Sequence, residues 1–255
     1  MIGIVPAAGA GQRIQPLGCA KELLPVGSRV VDGKECPKAV SEFLIERMIA
    51  AGATRICMVI SPDKSDVMRY YAERSYPAEI FYVVQRRPRG LCDALFRAAP
   101  FVANEETVLI GLPDTIWFPE NAYAPALAET EAAVNLVLFP TETPSVFDAV
   151  CCDGRDRVTS IEVKAAHPAS NWVWGALTVA GKAFHELSHL WESRQRSDEY
   201  LGTLLNAYLE AGNTVCGHRS GQTYIDVGTM EGYRRALDLL LNTLASVPPE
   251  IDKAA

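Results

Sequence analysis

Ile2-Gly3-Ile4-Val5-Pro6-Ala7-Ala8-Gly9-Ala10-Gly11-Gln12-Arg13 opens the chain as a short apolar run feeding a loop of small residues. The run is too short for a helix and reads as a buried strand. Glycine lets a backbone approach a ligand and tolerates positive φ. Successive backbone N–H groups in such a loop form a concavity that suits anions. Arg13 and Lys21 then add full positive charges that peptide dipoles lack. The local device is a phosphate cradle, with Ala8, Gly9, Ala10, Gly11 and Gln12 as its backbone.

Working outward, strands and helices alternate. A helical period over Lys38–Ala51 stops at Gly52. Arg55–Ile60 reads as a strand, Ser61–Arg74 as a helix, Glu79–Gln85 as a strand, Leu91–Ala99 as a helix and Thr107–Gly111 as a strand. This order predicts an α/β fold, Rossmann-like and doubly wound, with a mixed, mostly parallel sheet and helices on both faces. Ligands in such a sheet sit at the carboxyl ends of the strands, where the Gly9–Arg13 loop lies. Ala133–Phe139, Val146–Cys152, Val158–Lys164 and Trp172–Val179 are strands with short turns and predict a small antiparallel extension. Helices at Gly181–Leu190 and Asp198–Ala211, strands at Thr214–His218 and Thr223–Val227, and a helix at Met230–Leu244 complete the pattern. Without a linker or internal repeat, residues 1–246 read as one domain, with 247–255 a frayed tail.

The bulk properties narrow the function classes. The 255 residues are 49% apolar and 22% charged, ordinary for a soluble globular protein. A net charge of −7 argues against general nucleic-acid binding but not against a small anion met by a local cation cluster. No apolar run is long enough to span a membrane, and the N-terminus lacks a signal peptide's basic start. The seven cysteines form no Cys-x-x-Cys pair and fit reduced thiols of the cytoplasm.

The loop is not a Walker A sequence, since no Gly-Lys-Ser/Thr follows it, and it lacks the third glycine of the dinucleotide fingerprint. Its wider context is more specific. Gly9-Ala10-Gly11-Gln12-Arg13, Pro16-Leu17 and Lys21-Glu22-Leu23-Leu24-Pro25-Val26-Gly27 resemble the signature of sugar-1-phosphate nucleotidyltransferases, nearest to the glucose-1-phosphate thymidylyltransferases and uridylyltransferases. Gln12 stands where threonine is usual, and Ala20 where proline is usual.

The resemblance implies a nucleotide-diphospho-sugar transferase fold and a set of site residues along the chain. Gln85 and Gly90 match the family's base-reading glutamine and glycine. Leu112-Pro113-Asp114-Thr115-Ile116 and Tyr224-Ile225-Asp226-Val227-Gly228-Thr229 match the two segments whose aspartates hold Mg²⁺, with Pro113 replacing a glycine. Mg²⁺ commonly takes one or two carboxylates and completes its shell with phosphate and water. Ile161-Glu162-Val163-Lys164 matches the segment in which Lys164 holds the sugar phosphate and Glu162 meets sugar hydroxyls, with Val163 in place of a glutamate. Asn171, Trp172 and Gly175 match the segment that encloses the sugar. The implied reaction joins an NTP, dTTP or UTP favoured, to a sugar 1-phosphate and releases pyrophosphate. Arg13, Lys21 and Lys164 are its expected catalytic residues, Mg²⁺ its cofactor, and a homo-oligomer through Met230–Leu244 is plausible.

Other classes stay open. The substitutions at Gln12, Ala20, Pro113 and Val163 suit a non-catalytic nucleotide-sugar-binding relative, and the weakened sugar segment suits a cytidylyltransferase acting on a non-sugar phosphate. His185-Glu186-Leu187-Ser188-His189 satisfies His-Glu-x-x-His, but position 195 is Gln rather than a third histidine, and catalytic zinc needs three protein ligands.

Overall fold

The computed structural model describes residues 1–245. The expected domain end at 246 and the tail 247–255 lie outside the described residues. Among the described residues, thirteen strands and seven α-helices follow in chain order. They are β1 (Ile2–Pro6), β2 (Pro25–Val31), β3 (Lys34–Ala39), α1 (Val40–Ala50), β4 (Arg55–Ile60), α2 (Ser65–Ala72) and β5 (Glu79–Val84). Next come α3 (Gly90–Phe96), β6 (Thr107–Gly111), β7 (Thr115–Phe118), α4 (Tyr123–Ala128), β8 (Val134–Pro140), β9 (Asp148–Cys152) and β10 (Val158–Val163). The chain continues through β11 (Trp172–Ala180), α5 (Gly181–Ser193), α6 (Leu201–Glu210), β12 (Val215–His218), β13 (Thr223–Asp226) and α7 (Met230–Ala245).

Nine strands form the central sheet, in the order β10-β9-β11-β6-β1-β4-β5, with β8 beside β11 and β12 beside β8. Its heart is parallel, β1 lying between β4 and β6, with β5 outside β4. Strand β11 runs antiparallel to β6 and opens the antiparallel flank that also holds β9 and β10. The expected mixed α/β sheet is therefore present, and all four strands expected in a small antiparallel extension, β8 to β11, belong to that one sheet as its antiparallel flank.

Alternation along the central strands explains the layers. Ile2, Ile4, Cys57 and Val59 face a core closed by α3, α5 and α6, while Ile56, Met58 and Ile60 face one closed by α1, α2 and α4. Strands buried on both faces read as continuous apolar runs, which is why β1 and β4 were legible. Each such side chain contributes about 1.5–3 kcal/mol on burial.

The starts of α1 and α2 depart from expectation, and β2, β3, α4 and β7 were not foreseen. Helix α1 begins at Val40, not Lys38, because Lys34–Ala39 pairs with Pro25–Val31 as a hairpin. Its tip, Asp32-Gly33, takes φ of 52° and 76°, the conformation of a type I′ turn. Helix α2 begins at Ser65, since a turn closes residues 61–64 with Lys64 N–H on the Ser61 carbonyl. Strand β7, unforeseen, pairs antiparallel with β13 as a separate two-stranded ribbon.

Candidate active site

The loop leaves the sheet at the carboxyl end of β1, after Ala7 N–H donates to the Val59 carbonyl at 2.7 Å. Gly11 is left-handed, with φ 65°, and a Cβ there would lie 2.8 Å from the Lys21 Cδ. Conformation and close approach both require glycine at this point. A single turn, Gln12–Ile14, follows and leaves Gln12 and Arg13 exposed while Ile14 is buried. Ala8 is buried, and Gly9 and Ala10 are exposed.

A buried ion pair holds the base of this loop. Lys64 Nζ donates to the carbonyls of Ala7 and Gly9, both at 2.7 Å, and to both carboxylate oxygens of Glu22 at 2.8 Å. Asp66 accepts the Ala20 N–H at 2.7 Å and ties down the far end. Neither Lys64 nor Asp66 was foreseen, and Glu22 was quoted only as part of a motif. Lys64 lies just past the carboxyl end of β4, the strand next to β1, and a lysine so placed was the available signal.

Two further ion pairs face each other above the loop. Lys21 Nζ pairs with Asp114, which follows β6, and Arg13 pairs with Asp226 at 2.9 Å. The ribbon explains how residues so distant in sequence meet. Asp226 lies opposite Thr115 in the β13–β7 register, and Val227 N–H donates to the Asp114 carbonyl at 2.8 Å. Gly228 sits between the carboxylates: a Cβ there would lie 2.8 Å from Asp226 Oδ1, 2.9 Å from Asp114 Oδ2 and 3.3 Å from the Arg13 guanidinium. Burial would lower the Lys21 pKa, but Asp114 and Glu22 outweigh it and hold the ammonium above its usual value. Burial would raise the Asp114 carboxyl, but Lys21 and Arg13 outweigh it and hold it below. The Arg13 side chain is 62% exposed, so it can turn to a ligand without unpacking the fold.

Gln85 lies just past the end of β5 and is buried, its Nε2 2.7 Å from Asp93 Oδ2 and 3.4 Å from the Gly90 carbonyl. Gly90 has φ 83° and packs against Glu199, whose carbonyl accepts the Leu91 N–H at 3.0 Å. A Cβ on Gly90 would lie 2.8 Å from that carbonyl oxygen.

The expected acceptor residues are dispersed. Lys164 has φ 49° and donates to the Val146 carbonyl at 2.6 Å, with its Nζ 5.8 Å from the Phe147 ring centroid. Phe147 in turn contacts the Tyr224 ring, two residues before Asp226. Glu162 accepts the Ala169 N–H at 2.7 Å and so closes its own turn. Asn171 lines a polar cleft of about 620 Å³ with Thr141, Tyr224 and Arg235. Trp172 is half-buried with the Arg219 guanidinium 5.7 Å from its ring centroid. Gly175 is set against the ring of Tyr224, 2.4 Å from where its Cβ would be. Its local role is to let β11 pass that ring.

The His-Glu-x-x-His segment lies on α5. His185 Nε2 bonds the Val102 carbonyl at 2.9 Å, and His189 is exposed. Among the described residues no cluster of three His, Cys, Asp or Glu is grouped to hold a metal.

Comparison with known proteins gives concordant matches. The nucleotidyl transferase family model matches residues 2–243. A glucose-1-phosphate thymidylyltransferase from Neisseria meningitidis is 27% identical over 246 residues, covering 92% of this chain and 81% of its own. A UTP–glucose-1-phosphate uridylyltransferase from Mycoplasma pneumoniae is 23% identical, covering 91% of this chain and 89% of its own. Among solved structures, a Bacillus anthracis chain described as a glucose-1-phosphate thymidylyltransferase superposes with TM-score 0.80 at 23% identity. It covers 94% of this chain and 95% of its own, a likeness of fold.

Proposed function

Because this chain belongs to the nucleotidyl transferase family, we propose that it joins the nucleotidyl group of an NTP, with UTP or dTTP favoured, to a sugar 1-phosphate. An NDP-sugar and pyrophosphate are the products. The observation that carries this reading is the meeting of Lys21–Asp114 and Arg13–Asp226 around Gly228 at the mouth of the β1 loop. Two cations and two carboxylates beside an anion cradle suit a triphosphate and a divalent cation together.

An acceptor phosphate oxygen attacks the α-phosphorus, a new P–O bond forms, and the bond to the β-phosphate bridging oxygen breaks. Pyrophosphate leaves with that electron pair. The attacking oxygen is already anionic at neutral pH, so the protein's contribution is positioning and charge neutralisation. Arg13 turns from Asp226 to the β- and γ-phosphates and the leaving pyrophosphate. Lys21 meets the α-phosphate as charge develops there. Lys164 orients the acceptor phosphate, exchanging the Val146 carbonyl for it. Gln85 and Gly90 read the base, and Glu162, Asn171 and Trp172 meet the sugar.

Asp114 and Asp226 converge as hard oxygen donors and fit a cation that takes few protein ligands, as Mg²⁺ does. When bound there, Mg²⁺ supplies charge neutralisation on the phosphate oxygens. The seven thiols are all free, which supports a reducing compartment such as the cytoplasm. Among the described residues no helix is long and apolar enough to cross a membrane.

The test is a coupled pyrophosphate assay with UTP, dTTP, CTP, ATP and GTP against glucose 1-phosphate and other sugar 1-phosphates. Magnesium-dependent release with a uridine or thymidine triphosphate is expected. Binding of a nucleotide-sugar with no release from any pair would replace this reading with the non-catalytic one.

A further inference from the structure

The Gln85 amide is already half spent inside the protein. Its Nε2 faces Asp93 Oδ2 at 2.7 Å and the Gly90 carbonyl at 3.4 Å. Both neighbours can only accept, so they fix which end of the amide is nitrogen. Both contacts are made by the nitrogen, so neither uses Gln85 Oε1. Asp93 is itself held: it is 3% exposed, and Arg97 reaches it through Nε and a terminal nitrogen, each at 3.2 Å. Rotating the Gln85 amide would set its oxygen against the Asp93 carboxylate and the Gly90 carbonyl, three acceptors together in a buried place, which is costly.

We propose that Asp93, clamped by Arg97, fixes Gln85 as a hydrogen-bond acceptor and thereby makes the site select uracil or thymine over cytosine. The inference rests on Gln85 reading the base, as stated above. Uracil and thymine carry an N–H at ring position 3, which meets an acceptor. Cytosine carries a lone pair there, which an acceptor repels. A freely rotating glutamine would offer its N–H₂ to cytosine and its oxygen to uracil, and would choose poorly. Asp93 is a positioning residue, acting through Gln85 and touching no substrate.

The test is calorimetric titration of the intact protein with UTP and with CTP, for wild type, Asp93→Asn, Arg97→Gln and Gln85→Ala. Wild type is expected to bind UTP at least about tenfold more tightly than CTP, the scale of one gained or lost hydrogen bond. Asp93→Asn gives Gln85 a partner that accepts or donates, so the ratio is expected to fall to within about twofold. Arg97→Gln, at the exposed end of the relay, covers the case in which Asp93→Asn fails to fold, and should narrow the ratio in the same direction. A wild-type ratio in the folded Asp93→Asn and Arg97→Gln variants overturns the proposal. If Gln85→Ala alone collapses the ratio, base reading stands and only the Asp93 relay is lost. If Gln85→Ala keeps the ratio too, base reading at Gln85 falls with it, and pyrophosphate release measured separately still decides whether transfer occurs.

Discussion

Lys64 Nζ lies 2.8 Å from both carboxylate oxygens of Glu22, and neither side chain is more than 8% exposed. The same ammonium holds the Ala7 and Gly9 carbonyls, so one buried cation serves both the fold and the loop. Lys64→Met leaves the Glu22 carboxylate buried and unpaired, and should cost about 3 kcal/mol, read as a lower urea midpoint. The NTP KM should rise as well, because the loop loses its tether. Adding Glu22→Gln removes the orphaned charge and should restore most of the stability, while the KM stays raised. A double variant with wild-type KM would show that Lys64 serves stability alone.

Gly228 supplies the second prediction. A methyl group there falls 2.8 Å from Asp226 Oδ1 and 2.9 Å from Asp114 Oδ2, within the space between the carboxylates. Gly228→Ala should therefore reduce magnesium-dependent turnover by about 100-fold while the protein stays folded, since displaced catalytic groups are costly. Thermal unfolding and a magnesium titration of the rate measure the two effects. Unchanged magnesium dependence would remove the two carboxylates from the metal site.

The sheet was legible because β1, β4 and β6 are buried on both faces and carry unbroken apolar runs. The hairpin was missed although its Asp32-Gly33 tip is a strong turn signal, because its strand burial is uneven and Pro37 reads as a break. Asp114 and Asp226 were legible as a pair only through resemblance, since no periodicity predicts that β7 and β13 pair. Lys64 and Asp93 were not read as site residues, because they act from behind on Gly9 and Gln85 and belong to no contiguous pattern. The histidine pair on α5 makes the opposite point: its spacing alone would invite zinc, but the sequence offers no third histidine at 195, and His185 is bonded to the Val102 carbonyl.

That difference is testable directly. His185→Gln and His189→Ala should leave nucleotidyl transfer within about twofold of wild type, since surface changes away from a site have small effects. Elemental analysis of the purified protein should find zinc well below one equivalent. Stoichiometric zinc that disappears in the double variant would reopen a metal role for α5.

The Lys21–Asp114 pair sets a pH dependence. Burial alone would raise the Asp114 carboxyl, but Lys21 and Arg13 hold it below its ordinary 3.8. A depressed carboxyl stabilises the fold above its unfolded pKa and loses that contribution as pH falls through the folded value. Lys21 runs the other way: its raised pKa gives stability fully present below 10.5 and lost at higher pH. Without magnesium, the urea-midpoint difference between wild type and Asp114→Asn should be constant from about pH 5 to 9. It should shrink below 3.8, as Asp114 loses its charge. A difference that already shrinks near neutral pH would contradict the depressed carboxyl.

Arg13 separates catalysis from stability most cleanly. Its side chain is 62% exposed and its partner Asp226 also accepts the Gly228 N–H at 2.8 Å, so losing the guanidinium orphans no buried group. Arg13→Ala should shift stability by less than about 1 kcal/mol, as exposed ion pairs do. Its proposed task is different in scale, because charge on the leaving pyrophosphate develops as the α-phosphorus bond breaks. Losing one such preorganised group should lower kcat by about 100-fold or more, with little change in the acceptor KM. Arg13→Lys keeps the charge but not the planar fork that grips two oxygens, and should fall between the two. Turnover near wild type in Arg13→Ala, with the fold intact by circular dichroism, would remove Arg13 from the reacting centre and leave it a surface partner of Asp226.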